Sequence, residues 1–261
     1  MIFTNLVQAN LKTRFFGRQI EYYGRLESTN SEAWEIIDEG VQSGALLITD
    51  NQYNGRGRFD QKWYASPDKS LTFSILLFSD LEPVISGWIP ILSGVAIQKA
   101  LAKFDTSVKL KWPNDILLKE KKVAGILLDT AIQSNKIESL VLGIGINFKI
   151  NPSKLENKIK KTSNFYGVDT LVEKNEKPLT LVKQFLYELE NIFQIINSGH
   201  TKKIIMEWTM RSSTIGRNIS MTTNEGKITG NAIKLDNDGA LIISNGQKNK
   251  RLLVGDITHK N

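Results

Sequence analysis

Between Val108 and Trp112 apolar and polar residues alternate strictly, with Val108, Leu110 and Trp112 on one side of an extended chain and Lys109 and Lys111 on the other. A period of two predicts a strand with one buried face. Ile116–Leu118 and Val123–Leu128 are two further apolar runs, and the polar Lys119-Glu120-Lys121-Lys122 between them reads as the turn of a hairpin. Ala45–Thr49, Leu71–Phe78 and Glu138–Phe148 predict three more strands. Helical spacing appears elsewhere. Thr29-Asn30-Ser31-Glu32 reads as a capping box, followed by Ala33, Ile36 and Ile37 on one face and Gly40 as a stop. Val84–Phe104 predicts a mostly apolar helix with Gly87 and Gly94 as its weak points. Leu179–Asn197 predicts an amphipathic helix with Gly199 just past its end, and Lys202–Met210 one more.

Near Arg211 the pattern changes to short strands joined by Asn224-Glu225-Gly226, Asn237-Asp238-Gly239 and Ser244-Asn245-Gly246, each a turn signal with a glycine available for positive φ. No repeat or low-complexity tract is visible. The expectation is an α+β unit over 1–210, a mixed sheet flanked by helices, and a small β-barrel over 211–261.

Composition narrows the chemistry. The 261 residues include no cysteine and only His200 and His259, which excludes disulfides, thiolate nucleophiles and multi-histidine metal sites. No apolar run reaches the roughly 18 residues that span a bilayer. Thr4, Asn5, Gln8 and Asn10 interrupt the start as a signal-peptide core. A soluble, cytoplasmic protein is expected. The formal net charge of +7 raises two readings, nucleic acid or a smaller acidic ligand. Neither a basic recognition helix nor a set of aromatic stacking platforms is visible, which disfavours the first. Residues 55–62 and 109–122 carry +2 and +3 of the excess.

Three motifs fall in or near those charged segments. Gly55-Arg56-Gly57-Arg58, followed by Trp63, pairs glycines that permit close backbone approach with planar forks suited to phosphate or carboxylate. It reads equally as a surface loop with solvated arginines, and more weakly as an RNA-binding segment. Lys111-Trp112-Pro113-Asn114-Asp115, with Lys122 and Gly125 beyond, is either a turn with solvated lysines or a place where Lys111 and Lys122 converge on one phosphate and Asp115 offers an oxygen to Mg²⁺. Gly143-Ile144-Gly145-Ile146-Asn147 lacks the third glycine and following helix of a dinucleotide fingerprint. It reads as a strand whose glycines allow close packing.

In this order and spacing the blocks Ser28-Thr29-Asn30, Gln52 with Gly55-Arg56-Gly57-Arg58 and Trp63, Lys111 to Asp115, Lys122-Val123-Ala124-Gly125-Ile126-Leu127 and Gly143 to Asn147 resemble the biotin protein ligases, from about residue 20 to the C-terminus. Arg211–Asn261 is similar to that family's SH3-like C-terminal domain, Gly255-Asp256 included. The resemblance implies a class II synthetase-like fold and a two-step reaction. Biotin and ATP form biotinyl-5′-AMP and pyrophosphate, and a lysine of a biotin carboxyl carrier domain then takes the biotinyl group. It implies Lys122, Arg58 and Lys111 as catalytic groups. Ser28, Thr29, Asn30, Gln52, Gly55, Arg56, Arg58, Lys122 and Gly125 would surround biotin. Arg56, Arg58, Trp63, Lys111, Trp112, Asn114 and Asn147 would surround ATP or the adenylate, although Trp112 suits core packing equally. Asp115 would hold Mg²⁺.

One departure is Phe59-Asp60-Gln61, where the family commonly places a small residue and another arginine. Some members carry a DNA-binding winged helix-turn-helix of about 60 residues ahead of the catalytic unit. Only 27 residues precede Ser28, so no specific DNA binding or repressor function is expected. A homodimer stays open. The alternative from the same architecture is a lipoate-protein ligase working through lipoyl-AMP.

Overall fold

The structure is a computed structural model; it describes residues 7–9, 11–67, 69–81, 86–159, 168–171, 178–198, 200–223, 226–246 and 248–259. Its centre is a seven-stranded mixed sheet. In chain order the strands are β1 (Ile20–Tyr23), β2 (Ala45–Thr49), β5 (Ser70–Leu81), β6 (Lys109–Lys111), β7 (Asp115–Leu118), β8 (Lys121–Gln133) and β9 (Lys136–Asn147). Across the sheet they run β1-β2-β5-β9-β8-β7-β6, with β1 parallel to β2 and every other pair antiparallel. A two-stranded ribbon, β3 (Gly55–Arg56) and β4 (Lys62–Trp63), stands apart from it.

The two faces of the sheet differ because side chains alternate along each strand. Leu46 and Ile48, Phe73 and Ile75, Leu142 and Ile144, and Ala124 and Ile126 point into the main core. There they meet α2 (Trp88–Leu101), α4 (Pro178–Asn197) and α5 (Thr201–Arg211). Ala45 and Leu47 face the other way and pack with Ala33, Ile36, Leu76 and Val141 under α1 (Thr29–Glu35). Burial on both faces is why Ala45–Thr49 is an unbroken apolar run. The carboxylate of Glu190 on α4 accepts the backbone N–H groups of Arg14, Phe15 and Phe16 at 2.7, 3.0 and 3.2 Å, which ties the incoming chain to the core.

Three hairpin turns use positive φ without glycine: Phe59 and Asp60 (51° and 57°), Lys119 and Glu120 (49° and 63°), and Ser134 and Asn135 (49° and 59°). Two successive left-handed residues match the right-handed twist of the flanking strands. The first of these turns tips the β3–β4 ribbon, closed by Gly57 N–H to the Gln61 carbonyl at 2.7 Å.

Several sequence expectations shift. The first helix has its N-cap at Ser28, one residue before the expected Thr29, and no side-chain capping bond. The Thr29 hydroxyl is engaged instead by Ser74 and Gln52. The helix expected over Val84–Phe104 runs over Trp88–Leu101. Gly87 sits at its N-cap, and Val84 lies outside the described residues, as do Gly199 and Asn224-Glu225.

The C-terminal residues form β10 (Asn218–Thr223), β11 (Gly226–Leu235), β12 (Leu241–Ser244), β13 (Asn249–Leu252) and β14 (Ile257–His259). They make an antiparallel sheet in the order β13-β12-β11-β10-β14. It packs against the β6 end of the large sheet: Ser213 N–H bonds the Leu110 carbonyl at 2.7 Å, and Trp112 N–H bonds Thr214 Oγ1 at 3.1 Å.

Candidate active site

Small residues open the face of the sheet under α1. In register across β5, β9 and β8, Thr72, Gly145 and Gly125 form one row and Ser74, Gly143 and Leu127 the next. A Cβ at Gly143 would strike Asn30, and one at Gly145 would strike the Trp63 ring. A Cβ at Gly125 would approach Trp63 to 3.3 Å and Lys122 Nζ to 3.1 Å. The glycines therefore let Asn30 and the Trp63 indole lie directly on the sheet, and the buried Nε1 of Trp63 has no hydrogen-bond partner among the described residues.

At one end of the site is a buried polar network. Thr29 N–H donates to Gln52 Oε1 at 2.8 Å. The Ser74 hydroxyl lies 2.7 Å from both Thr29 Oγ1 and Asn30 Oδ1. Asn30 Nδ2 donates to Asp129 at 3.0 Å, and Asp129 also pairs with Arg56. At the other end is a cationic wall. Lys122 Nζ lies 2.5 Å from Asp115 Oδ1, and Lys111 Nζ 4.0 Å from Asp115 Oδ2. Arg58 Nη1 reaches Asn114 Oδ1 and Asp256 Oδ1 at 3.1 Å each and the Gly255 carbonyl at 3.3 Å. Lys111 is 5% exposed, against the expectation for a turn lysine. Burial pushes its pKa down to about 8; Asp115 pulls it up and Lys122 presses it further down.

One cavity joins both ends. Ser28, Thr29, Asn30, Gln52, Arg56, Arg58, Trp63, Lys111, Trp112, Asn114, Asp115, Lys122, Gly125 and Asn147 all border it, so the structure brings together nearly every residue singled out from sequence. Gly55 lies just outside, where a Cβ would collide with Gln52. Trp112 is 1% exposed and gives its indole N–H to the Gly239 carbonyl at 3.1 Å, so the packing reading fits its position. Asn147 turns its amide N–H toward the Lys122 carbonyl at 3.3 Å, and Asn114 donates to the Ile126 carbonyl at 2.6 Å. Asp115 is paired with two ammonium groups, Lys122 and Lys111, so a Mg²⁺ ion there would share its carboxylate with them.

Sequence reasoning passed over Ser74 and Asp129, and it assigned no task to Asp256. It also missed the apolar wall of Leu155, Ile159 and Val168, to which α3 (Pro152–Ile159) contributes. None lies in a motif. The register of Ser74 with Gly143 is the one signal that pattern analysis offered, because both fall on the same face.

The cavity thus sets a cationic wall of Arg58, Lys111 and Lys122 against a polar network around Thr29, Asn30 and Gln52. Residues 22–147 match the family model described as Biotin/lipoate A/B protein ligase family, and residues 214–260 match the Biotin protein ligase C terminal domain. The chain belongs to the biotin protein ligases within that wider family. It is 25% identical over 252 residues to the bifunctional ligase/repressor BirA of Bacillus subtilis, covering 96% of this chain and 77% of that one. It is 27% identical over 250 residues to the biotin–[acetyl-CoA-carboxylase] ligase of Mycobacterium tuberculosis, covering 93% and 89%. In fold it is similar to the biotin protein ligase of Aquifex aeolicus in complex with biotin and ATP, with a TM-score of 0.74 at 24% identity over 93% of this chain and 99% of that one.

Proposed function

We infer that this protein is a biotin protein ligase that uses ATP to attach biotin to a lysine of a biotin carboxyl carrier domain. The observation that carries this reading is one cavity with the polar network of Thr29, Asn30 and Gln52 at one end and Arg58, Lys111 and Lys122 at the other. In the first step the biotin carboxylate oxygen bonds to the α-phosphorus of ATP as the bond to pyrophosphate breaks. In the second, the acceptor amine bonds to the acyl carbon, loses a proton and releases AMP. Both steps demand positioning and neutralisation of phosphate charge rather than a nucleophilic side chain. Lys122 and Lys111 face the α-phosphate, and Arg58 meets the carboxylate–phosphate junction. Ser28, Thr29, Asn30 and Gln52 hold the polar end of biotin, and Trp63, seated on Gly145 and Gly125, borders its rings. The ribbon carrying Arg56 and Arg58 shields the mixed anhydride from water. In this reading the catalytic unit spans residues 1–210 and the C-terminal unit 211–261.

No helix among the described residues is long and apolar enough to cross a membrane, and a chain without cysteine suits the reducing cytoplasm where carboxylases are made. Lipoate is disfavoured by the C-terminal match, which is to biotin ligases.

The test is pyrophosphate release from ATP and Mg²⁺ with biotin or lipoate. Release should require biotin, and Lys122→Ala should slow it by about a hundred-fold or more. Release driven by lipoate alone would refute the reading, and full activity of the variant would refute the role of Lys122.

A further inference from the structure

Arg58 is held by a carboxylate that belongs to the other end of the chain. Asp256, between β13 and β14, meets Arg58 Nη1 at 3.1 Å, 198 residues away in sequence, and both residues border the cavity. The same nitrogen also takes Asn114 Oδ1 and the Gly255 carbonyl. All three acceptors therefore crowd one corner of a guanidinium whose fork has five donors, an end-on arrangement rather than the bidentate one that arginine forms with a settled carboxylate or phosphate partner. Arg58 itself is largely withdrawn from water, its ring neighbour Phe59 lying 4.7 Å below the guanidinium, and a withdrawn cation requires an anion beside it.

The wall as a whole sets three cations, Arg58, Lys111 and Lys122, against two carboxylates, Asp115 and Asp256. The two carboxylates leave one net positive charge, so each competes with a nucleotide phosphate for the cation it holds. Asp115 is gripped by Lys122 at 2.5 Å and lies in the β7 strand. Asp256 has the looser hold and follows Gly255, whose φ of 145° lies outside the range that suits other residues. It also adjoins the exposed Leu253 and Val254.

We propose that Asp256 is a placeholder anion: it occupies Arg58 while the cavity holds no nucleotide and is displaced by phosphate, so that the C-terminal unit sets the affinity of the active site for nucleotide. The proposal rests on the ligase reading for the identity of the ligand. It adds to that reading a competitor within the chain.

The test is calorimetric titration of the whole protein with ATP in Mg²⁺, and with adenosine, which lacks the phosphates. Asp256→Asn should tighten ATP by about five-fold and leave adenosine unchanged, because one competing charge is lost. Asp256→Glu, which keeps the charge, should bind ATP like the wild type. In an Arg58→Ala background, Asp256→Asn should bring no gain, since the competitor then has nothing to occupy. Unchanged or weaker ATP binding by Asp256→Asn would overturn the proposal. So would a gain that persists without Arg58, which would mark Asp256 as a general repulsive charge only. Biotin-dependent pyrophosphate release by the wild type is read separately, so failure of the ligase reading is distinguishable from failure of the placeholder.

Discussion

Lys111 shows what a pattern of residue types conveys and what it does not. Alternation placed it correctly on the opposite side of the strand from Leu110 and Trp112. It could not convey that this second side is also covered, because Asp256 and His259 of the C-terminal unit, distant in sequence, come close to it. Asp129 and Asp256 escaped notice for the same reason: a carboxylate gains meaning from the arginine opposite it, and both partners lie far along the chain. A charge held inside at a cost is a charge kept for function. Replacing it with an apolar side chain of similar length, Lys111→Met, should raise stability near neutral pH by about 1 kcal/mol while weakening ATP binding by about ten-fold. Urea unfolding and nucleotide titration check the two halves. The pH dependence follows in sign. Between about 8 and the ordinary lysine value of 10.5 the unfolded chain binds a proton that the folded chain does not. Wild-type stability should therefore rise with pH across that window relative to the variant, by an amount that denaturation midpoints at pH 7.5 and 10 will show.

Elements were legible where their period was long and their partners local. All of the expected strands and helices exist, and the hairpin around Lys119–Lys122 is where the polar run put it. Less legible was the meaning of single glycines. Gly87 and Gly94 looked alike as weak points of a helix, yet only one of them is needed. A Cβ at Gly94 would lie 3.5 Å from Leu110 and 3.9 Å from Ile126, ordinary contact distances in mid-helix. A Cβ at Gly87 would lie 2.7 Å from the Asp238 carbonyl oxygen, backbone that cannot easily move aside, where the N-terminus of α2 meets the turn before β12. Gly94→Ala should therefore stabilise the protein by up to about 1 kcal/mol through helix propensity. Gly87→Ala should destabilise it by about 2 kcal/mol through overpacking. Thermal unfolding of the two variants should move in opposite directions.

At the scale of the whole molecule the C-terminal sheet is a structural member of the active site. Arg217 holds Glu120, at the hairpin tip two residues from Lys122, through contacts of 2.5 and 2.9 Å. His259 lies 3.6 Å from the same carboxylate and 3.2 Å from Thr214 Oγ1. Burial, reinforced by Lys111 and Arg217, pushes the His259 pKa down to about 4, whereas an unfolded histidine titrates near 6.5. Between those values the unfolded chain takes up a proton that the folded chain refuses. The contribution of His259 is complete above pH 6.5 and is lost as pH falls toward 4, on the order of 2 kcal/mol. His259→Gln should flatten that part of the acid-unfolding profile, as a series of urea midpoints from pH 7 to 4.5 will reveal. The change near Arg211 to short strands joined by glycine turns suggested this small domain. Its grip on the hairpin arises from side chains that no local motif marks.

The seat of Trp63 on the glycine strands has a practical meaning of another kind. Of the five tryptophans, Trp112 and Trp208 are sealed in the core at 1% exposure, and Trp34 and Trp88 do not border the cavity. Trp63 borders the cavity with an indole N–H that is buried and without a partner among the described residues. Its emission responds to the surroundings of that ring, while Trp112, which also borders the cavity, keeps its indole N–H on the Gly239 carbonyl and the other three lie away from it. The protein thus contains its own optical gauge of occupancy, by which the filling and emptying of the cavity can be timed without a label.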